Sequence, residues 1–185
     1  MELLSIFAIA VGLAMDAFAA AICKGLQLRE PEFSKTFSVG LCFGLFQGLM
    51  PVFGYLLASA FAEDIRAIDH WVAFFLLGII GAHMIRESFD KTCDFTTGFD
   101  IKSLLLIGLA TSIDAMAIGI SFAFLKVNIV SSSIIIGLTT FVIAMIGMSI
   151  GNIFGIKYKS AAERVGGLIL IAMGIKILLE HTLFA

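Results

Sequence analysis

Apolar residues gather along the chain into six long runs, separated by short polar links. The runs cover about 3–23, 36–60, 70–88, 101–125, 129–154 and 164–184. Each comes near the ~20 residues that a helix needs to cross the hydrocarbon core of a bilayer. The pattern predicts six transmembrane helices with no soluble domain between them. A helix satisfies its backbone polar groups within one segment, and the apolar–polar alternation of a membrane barrel is absent. The expected fold is an all-α membrane protein, one integral membrane domain over 1–185. The first run is read as a spanning helix and not as a cleaved signal peptide. Glu2 precedes it without a basic residue, and Asp16 interrupts it.

The distribution of Lys and Arg orients this bundle. With six crossings, the links after the first, third and fifth helices share one side. That side carries Lys24, Arg29, Lys35, Arg86, Lys91, Lys102, Lys157, Lys159 and Arg164, against Arg66 and Lys126 on the other. Basic loops stay in the cytoplasm, so both termini are expected to face outward.

Composition agrees. The chain is 60% hydrophobic and 14% charged, where ordinary soluble domains have ~25% charge, and its mean hydropathy is +1.08. The net charge of −2 comes with no basic patch, so no nucleic-acid partner is expected. Cys23, Cys42 and Cys93 form no paired framework and are read as small buried thiols. A Walker motif, an HExxH motif and a nucleophile–base pair are all missing, which argues against ATP use and against an enzyme.

Two aspartates break the apolar pattern. Asp16 and Asp114 sit inside the first and fourth runs in nearly the same local wording, Asp16-Ala17-Phe18-Ala19 and Asp114-Ala115-Met116-Ala117. An acidic side chain at mid-membrane costs roughly 2.5–3.5 kcal/mol, while a central Leu or Ile returns only about 0.3–0.6 kcal/mol. Such residues by default mark an ion or proton pathway. The two lie 98 positions apart (114 − 16). Gly40-Leu41 and Gly54 match Gly137-Leu138 and Gly151 at an offset of 97, and Gly81, His83 and Glu87 match Gly174, Lys176 and Glu180 at 93. Three segments per half is an odd number, so the second half enters the membrane from the opposite side. The expected plan is two inverted three-helix repeats, about 1–90 and 101–185, with the site at the midplane between them.

Positions one or two turns from each aspartate are mostly small: Gly12, Ala19 and Ala20 around Asp16, Ala110, Ala117 and Ser121 around Asp114. Small residues let membrane helices approach closely, so the first and fourth helices are expected to cross at their aspartates. Two buried anions then need a cation between them, or a proton on one. The donors are oxygens: Asp16 and Asp114, with Thr111, Ser112 and backbone carbonyls in support. These suit Mg²⁺, Ca²⁺ or Mn²⁺. Met15 brings a thioether next to Asp16, although packing is its commoner use. Gln47 and Asn152 are further polar candidates along the path or bonds between helices, and Pro51 can free carbonyls. Lys176 is expected to pair with Glu180 or to reach the outer surface, and His83 to pack. Glu63, Asp64 and Asp69 form an acidic outer link, with Trp71 and Tyr55 as interface anchors. No cofactor is expected.

The run Gly12-Leu13-Ala14-Met15-Asp16-Ala17-Phe18-Ala19-Ala20, followed by Lys24-Gly25, resembles the first-helix motif of the bacterial manganese efflux pump family MntP. Ala110-Thr111-Ser112-Ile113-Asp114-Ala115-Met116-Ala117 is similar to its fourth-helix motif. Phe122-Ala123-Phe124-Leu125-Lys126-Val127-Asn128-Ile129, His70-Trp71 and Gly166-Gly167-Leu168 look alike too. The resemblance covers nearly the whole chain. It implies Mn²⁺ export across a bacterial inner membrane, with Asp16 and Asp114 as the functional acids, and a place in the lysine-exporter-like superfamily. The choice of manganese comes from the resemblance. Proton exchange as the driving step comes from the buried acids and the absent nucleotide motif. The rival readings are export of another divalent cation or of a lysine-like amino acid, and a non-transporting membrane scaffold.

Overall fold

The computed structural model describes residues 3–28, 32–59, 69–87, 89, 100–154 and 159–183. The links 60–68 and 90–99, with Glu63, Asp64, Arg66, Lys91 and Cys93, lie outside the described residues. So do the side chains of Asp69, His70, Glu87 and Glu180. The described residues form α1 (Leu3–Leu26), α2 (Phe33–Ser59), α3 (Asp69–Glu87), α4 (Ile101–Ala110), α5 (Ile113–Phe124), α6 (Ile129–Phe154) and α7 (Lys159–Leu183), with no strand among them. Four stretches are long and apolar enough to cross a membrane: α1, α2, α4–α5 taken together, and α6. The six expected runs coincide with helices, with one difference: the fourth is split in two.

The chain turns between α5 and α6 through Lys126, whose φ of 52° reverses its direction. Asn128 then starts α6, its side-chain oxygen accepting from the Ser131 N–H at 3.2 Å. α2 passes through Pro51 without breaking, although a proline inside a helix still deprives the carbonyl four residues earlier of its donor. Its outward stripe of Leu41, Leu45, Leu49, Phe53 and Leu56 is exposed. A bare apolar stripe of that length is what lipid, not water, tolerates.

α1 packs on α6 and α7, α2 on α6 and α4–α5, and α3 on α7 and α5. Glycines set the closest approaches. Gly147 abuts Phe18 and Gly151 abuts Ile22, so α1 and α6 run parallel. Gly108 abuts Cys42 and Phe46 while Gly119 abuts Pro51, so α2 runs parallel to α4–α5. Gly40 faces Met145, Gly44 faces Gly137 and Gly48 faces Ser133, so α2 and α6 run antiparallel. It follows that α1 and α4–α5 run in opposite directions.

Two apolar clusters fill the interior. One gathers Ile6, Ile9, Ala10 and Leu13 of α1, Ala115, Ile118 and Phe122 of α5, Ile136 of α6, and Leu170, Met173 and Ile177 of α7. The other gathers Ala17 and Ala21 of α1, Val39 and Phe43 of α2, Leu104 of α4, and Ala144 and Met148 of α6.

Two lysine–serine bonds tie the helices near their ends. Lys24, 2% exposed, donates from Nζ to Ser103 Oγ at 2.9 Å, joining α1 to α4. Lys176 donates to Ser5 Oγ at 2.7 Å, joining α7 to α1; its expected pairing with Glu180 falls on a side chain outside the described residues. His83 is exposed on α3, not packed. Cys42 is a free thiol, whereas Cys23 is disulfide-bonded, so the reading of unpaired thiols fails for Cys23. Removing an acceptor from a buried charged donor costs about 1–3 kcal/mol. Ser103→Ala is therefore expected to lower the melting temperature of the detergent-solubilised protein, and Ser103→Thr to retain it. An unchanged melt for Ser103→Ala would contradict a structural role for the Lys24 bond.

Candidate metal centre

Each helix that runs from one apolar cluster to the other passes through polar residues on the way. On α1, Asp16 lies between Leu13 of the first cluster and Ala17 of the second. On α6, Thr140 lies between Ile136 and Ala144. On α2, Gln47 lies between Phe43 of the second cluster and Met50, which packs on the first. Between Ile107 and Ala115 come Thr111, Ser112 and Asp114. A polar layer thus separates two apolar halves, and both aspartates belong to it.

The split in the fourth span lies at this layer. α4 ends at Thr111 and α5 begins from Ser112, which puts Asp114 in the first turn of α5. The two hydroxyls hold the broken end together. Thr111 Oγ1 donates to the Ile107 carbonyl at 2.9 Å and Ser112 Oγ to the Gly108 carbonyl at 2.8 Å. The Ser112 bond satisfies the Gly108 carbonyl, which the break would otherwise leave bare in an apolar medium, while the Thr111 hydroxyl is a second donor to the Ile107 carbonyl beside the Thr111 N–H. Asp114 Oδ1 accepts from the Ala115 N–H at 2.8 Å. The unshared N–H groups and dipole at a helix start stabilise negative charge. Asp16 has no such support, because α1 is continuous through it.

The expected crossing of the first and fourth helices is not formed. α1 makes no extended contact with α4 or α5. The small residues around the aspartates meet other partners: Gly12 abuts Leu170 of α7, and Gly119 abuts Pro51 of α2.

The supporting residues divide. Thr111 and Ser112 belong to the layer, where their hydroxyl protons serve α4 and their lone pairs remain acceptors. Met15 is half-buried and packs on the first cluster. Asn152 makes the expected bond between helices, donating to the Leu28 carbonyl at 2.9 Å and the Gly25 carbonyl at 3.5 Å and so capping α1. It lies 12 residues beyond Thr140, roughly 18 Å along the helix at ~1.5 Å per residue. Gln47 is 1% exposed, and neither its Oε1 nor its Nε2 has a hydrogen-bond partner among the described residues. Thr140 is fully buried and its hydroxyl is likewise unpartnered among them. The sequence reading missed Thr140. Hydroxyls inside helices ordinarily bond a carbonyl one turn back, as Ser121, Ser132 and Ser149 do, and nothing in the sequence marks the exception. No group of three or more His, Cys, Asp or Glu side chains converges among the described residues. A cation here would need neutral oxygens beside the two carboxylates.

Comparison with known proteins now adds a family. Residues 30–178 match the Mntp family, described as "Putative manganese efflux pump". A "Putative manganese efflux pump MntP" from Acetivibrio thermocellus is 52% identical over 184 residues, covering 98% of this chain and 92% of the relative. One from Desulfitobacterium hafniense is 53% identical over 178 residues, covering 96% and 95%. One from Mannheimia succiniciproducens is 50% identical over 187 residues, covering 100% of both. No solved structure matches the chain. With the family matched over most of its length and relatives near half-identical from end to end, this chain belongs to the MntP manganese efflux pump family.

Proposed function

We propose that this protein is a secondary transporter that carries Mn²⁺ out of the cytoplasm, with Asp16 and Asp114 sharing the ion at mid-membrane. The observation that carries a cation site is the position of both aspartates in the polar layer between two apolar clusters. The names of the relatives supply manganese. Two carboxylates neutralise a divalent ion, and neutral oxygens from Gln47, Thr111 and Ser112 suit a hard or borderline cation. After the ion leaves, protons neutralise the pair, and alternate occupancy couples export to proton entry. A lysine-like substrate would need a cation for its carboxylate. Lys176, the deep candidate, is held by Ser5 instead.

The proposed frame is six crossings in two inverted repeats, in the inner membrane of a bacterium, with both termini outside. Three features support it. α1 and α4–α5 run in opposite directions. Exchanging α1 with α4–α5, α2 with α6 and α3 with α7 leaves the set of packed helix pairs unchanged. Ser5 and Ser103, each 11 residues before its aspartate, each accept from a lysine. The test of coupling is Mn²⁺ flux in proteoliposomes. An imposed gradient that drives protons opposite to Mn²⁺ is expected to accelerate transport several-fold, and collapse of the gradient to remove that gain. Flux indifferent to the gradient would reject proton exchange.

A further inference from the structure

We infer that Gln47 is a metal ligand and the residue that sets cation selectivity, forming a half-site with Asp114. The inference rests on the cation reading above and names a residue it leaves in a supporting role. Three observations on α2 lead to it.

The first is the register of α2 against the broken span. Phe43 touches Gly108, and Pro51 touches Gly119. Gln47 is four residues from each, so it lies level with the middle of 108–119, where α5 begins and Asp114 sits. The second is its state. Gln47 is 1% exposed, and both ends of its carboxamide lack partners among the described residues. Buried amides are rarely left so, and an exception calls for a reason such as an ion. The third is Pro51. Proline has no N–H, and in a helix the carbonyl four residues earlier loses its donor. That carbonyl belongs to Gln47. One position thus offers two neutral oxygens, one side-chain and one main-chain, beside a carboxylate at a helix start.

The other half differs. At the offset of 97, the counterpart of Gln47 is Ala144, which packs in the second apolar cluster. Asp16 has no amide at the equivalent place. Charge count tunes the affinity of oxygen sites for hard cations. Two carboxylates with an amide hold the site at −2, where a third carboxylate would strengthen Mg²⁺ and Ca²⁺.

Gln47→Leu and Gln47→Glu test this in the full-length protein. Bound Mn²⁺ is counted by electron paramagnetic resonance in detergent, with Mg²⁺ and Ca²⁺ as competitors, and the melting temperature is recorded alongside. For Gln47→Leu, Mn²⁺ affinity is expected to fall at least tenfold while the melting temperature holds or rises, since an unpartnered buried amide is replaced by a hydrocarbon. A merely structural glutamine would not separate the two readouts in this way. For Gln47→Glu, Mn²⁺ binding is expected to persist with discrimination against Mg²⁺ and Ca²⁺ reduced several-fold. Asp114→Asn is the reference. If Asp114→Asn loses Mn²⁺ while both Gln47 variants keep wild-type affinity and selectivity, the Gln47 assignment is overturned and the aspartate site stands. If Asp114→Asn itself binds like wild type, the underlying cation reading fails and Gln47 falls with it.

Discussion

Asp16→Asn and Asp114→Asn are each expected to abolish Mn²⁺ export without unfolding the protein. Asparagine keeps the shape and one oxygen of aspartate. At position 114 that oxygen can still accept from the Ala115 N–H, so the local structure of the α5 start is preserved. The charge is what disappears. A carboxylate at mid-membrane costs roughly 2.5–3.5 kcal/mol, so its removal should leave stability unchanged or raised. Export depends on that charge, because a divalent ion leaving water must be neutralised where it lands. Loss of even an outer partner of a metal ligand costs about 10–100-fold, and loss of a ligand should exceed this. Mn²⁺ flux in proteoliposomes, set beside the melting temperature, checks the expectation. The double variant should be no worse than either single one, because residues that act as one unit are strongly non-additive. A single variant retaining half of the flux would remove that aspartate from the mechanism. Equal loss of flux and of fold would point to packing instead.

The second large effect is expected at glycines where helix backbones meet. A methyl group at Gly54 would collide with the Met116 carbonyl, and one at Gly151 with the Ile22 carbonyl. Neither obstacle is a side chain that can turn away. Both contacts also hold aspartate-bearing spans, since Met116 follows Asp114 on α5 and Ile22 follows Asp16 on α1. Overpacking costs typically ~1–3 kcal/mol, and a main-chain obstacle belongs at the upper end or beyond. Gly54→Ala and Gly151→Ala should therefore lower the melting temperature and reduce transport together. Gly78 provides the contrast, with nothing among the described residues within 4 Å of an added Cβ. Gly78→Ala should be neutral or stabilising by up to about 1 kcal/mol, the ordinary helix preference for alanine. If Gly54→Ala and Gly78→Ala behave alike, the close helix packing described here is wrong.

The helices were legible because an apolar run of that length has few other options. The interruption of the fourth span was not. Asp16-Ala17-Phe18-Ala19 and Asp114-Ala115-Met116-Ala117 read almost alike, yet one lies in an unbroken helix and the other opens a new one. The difference lies just before them: Leu13-Ala14 in α1, against Thr111-Ser112 in the fourth span. Two adjacent hydroxyls can bond their own helix's carbonyls and support a break, but the same residues also sit in continuous helices.

Small residues beside the aspartates correctly indicated close approach and misled about the partner. A small face tells how near a neighbour comes, not which neighbour it is, and the spans pack mainly on α6, α7 and α2. Asn152 was read as a path residue or a bond between helices, and its place beside the end of α1 makes it the second. Gln47 stood out in the sequence as polar, while its lack of partners is a property of the packed protein. The disulfide at Cys23 was invisible for a related reason, because spacing along the chain does not report which thiols come together.

The most direct test of the shared ion is an anomalous-scattering map from crystals grown with Mn²⁺. The account predicts one strong peak in the polar layer, within coordination distance of carboxylate oxygens from both Asp16 and Asp114. A transport-competent protein whose manganese lies elsewhere, or whose two carboxylates each hold a separate ion out of reach of the other, would contradict it.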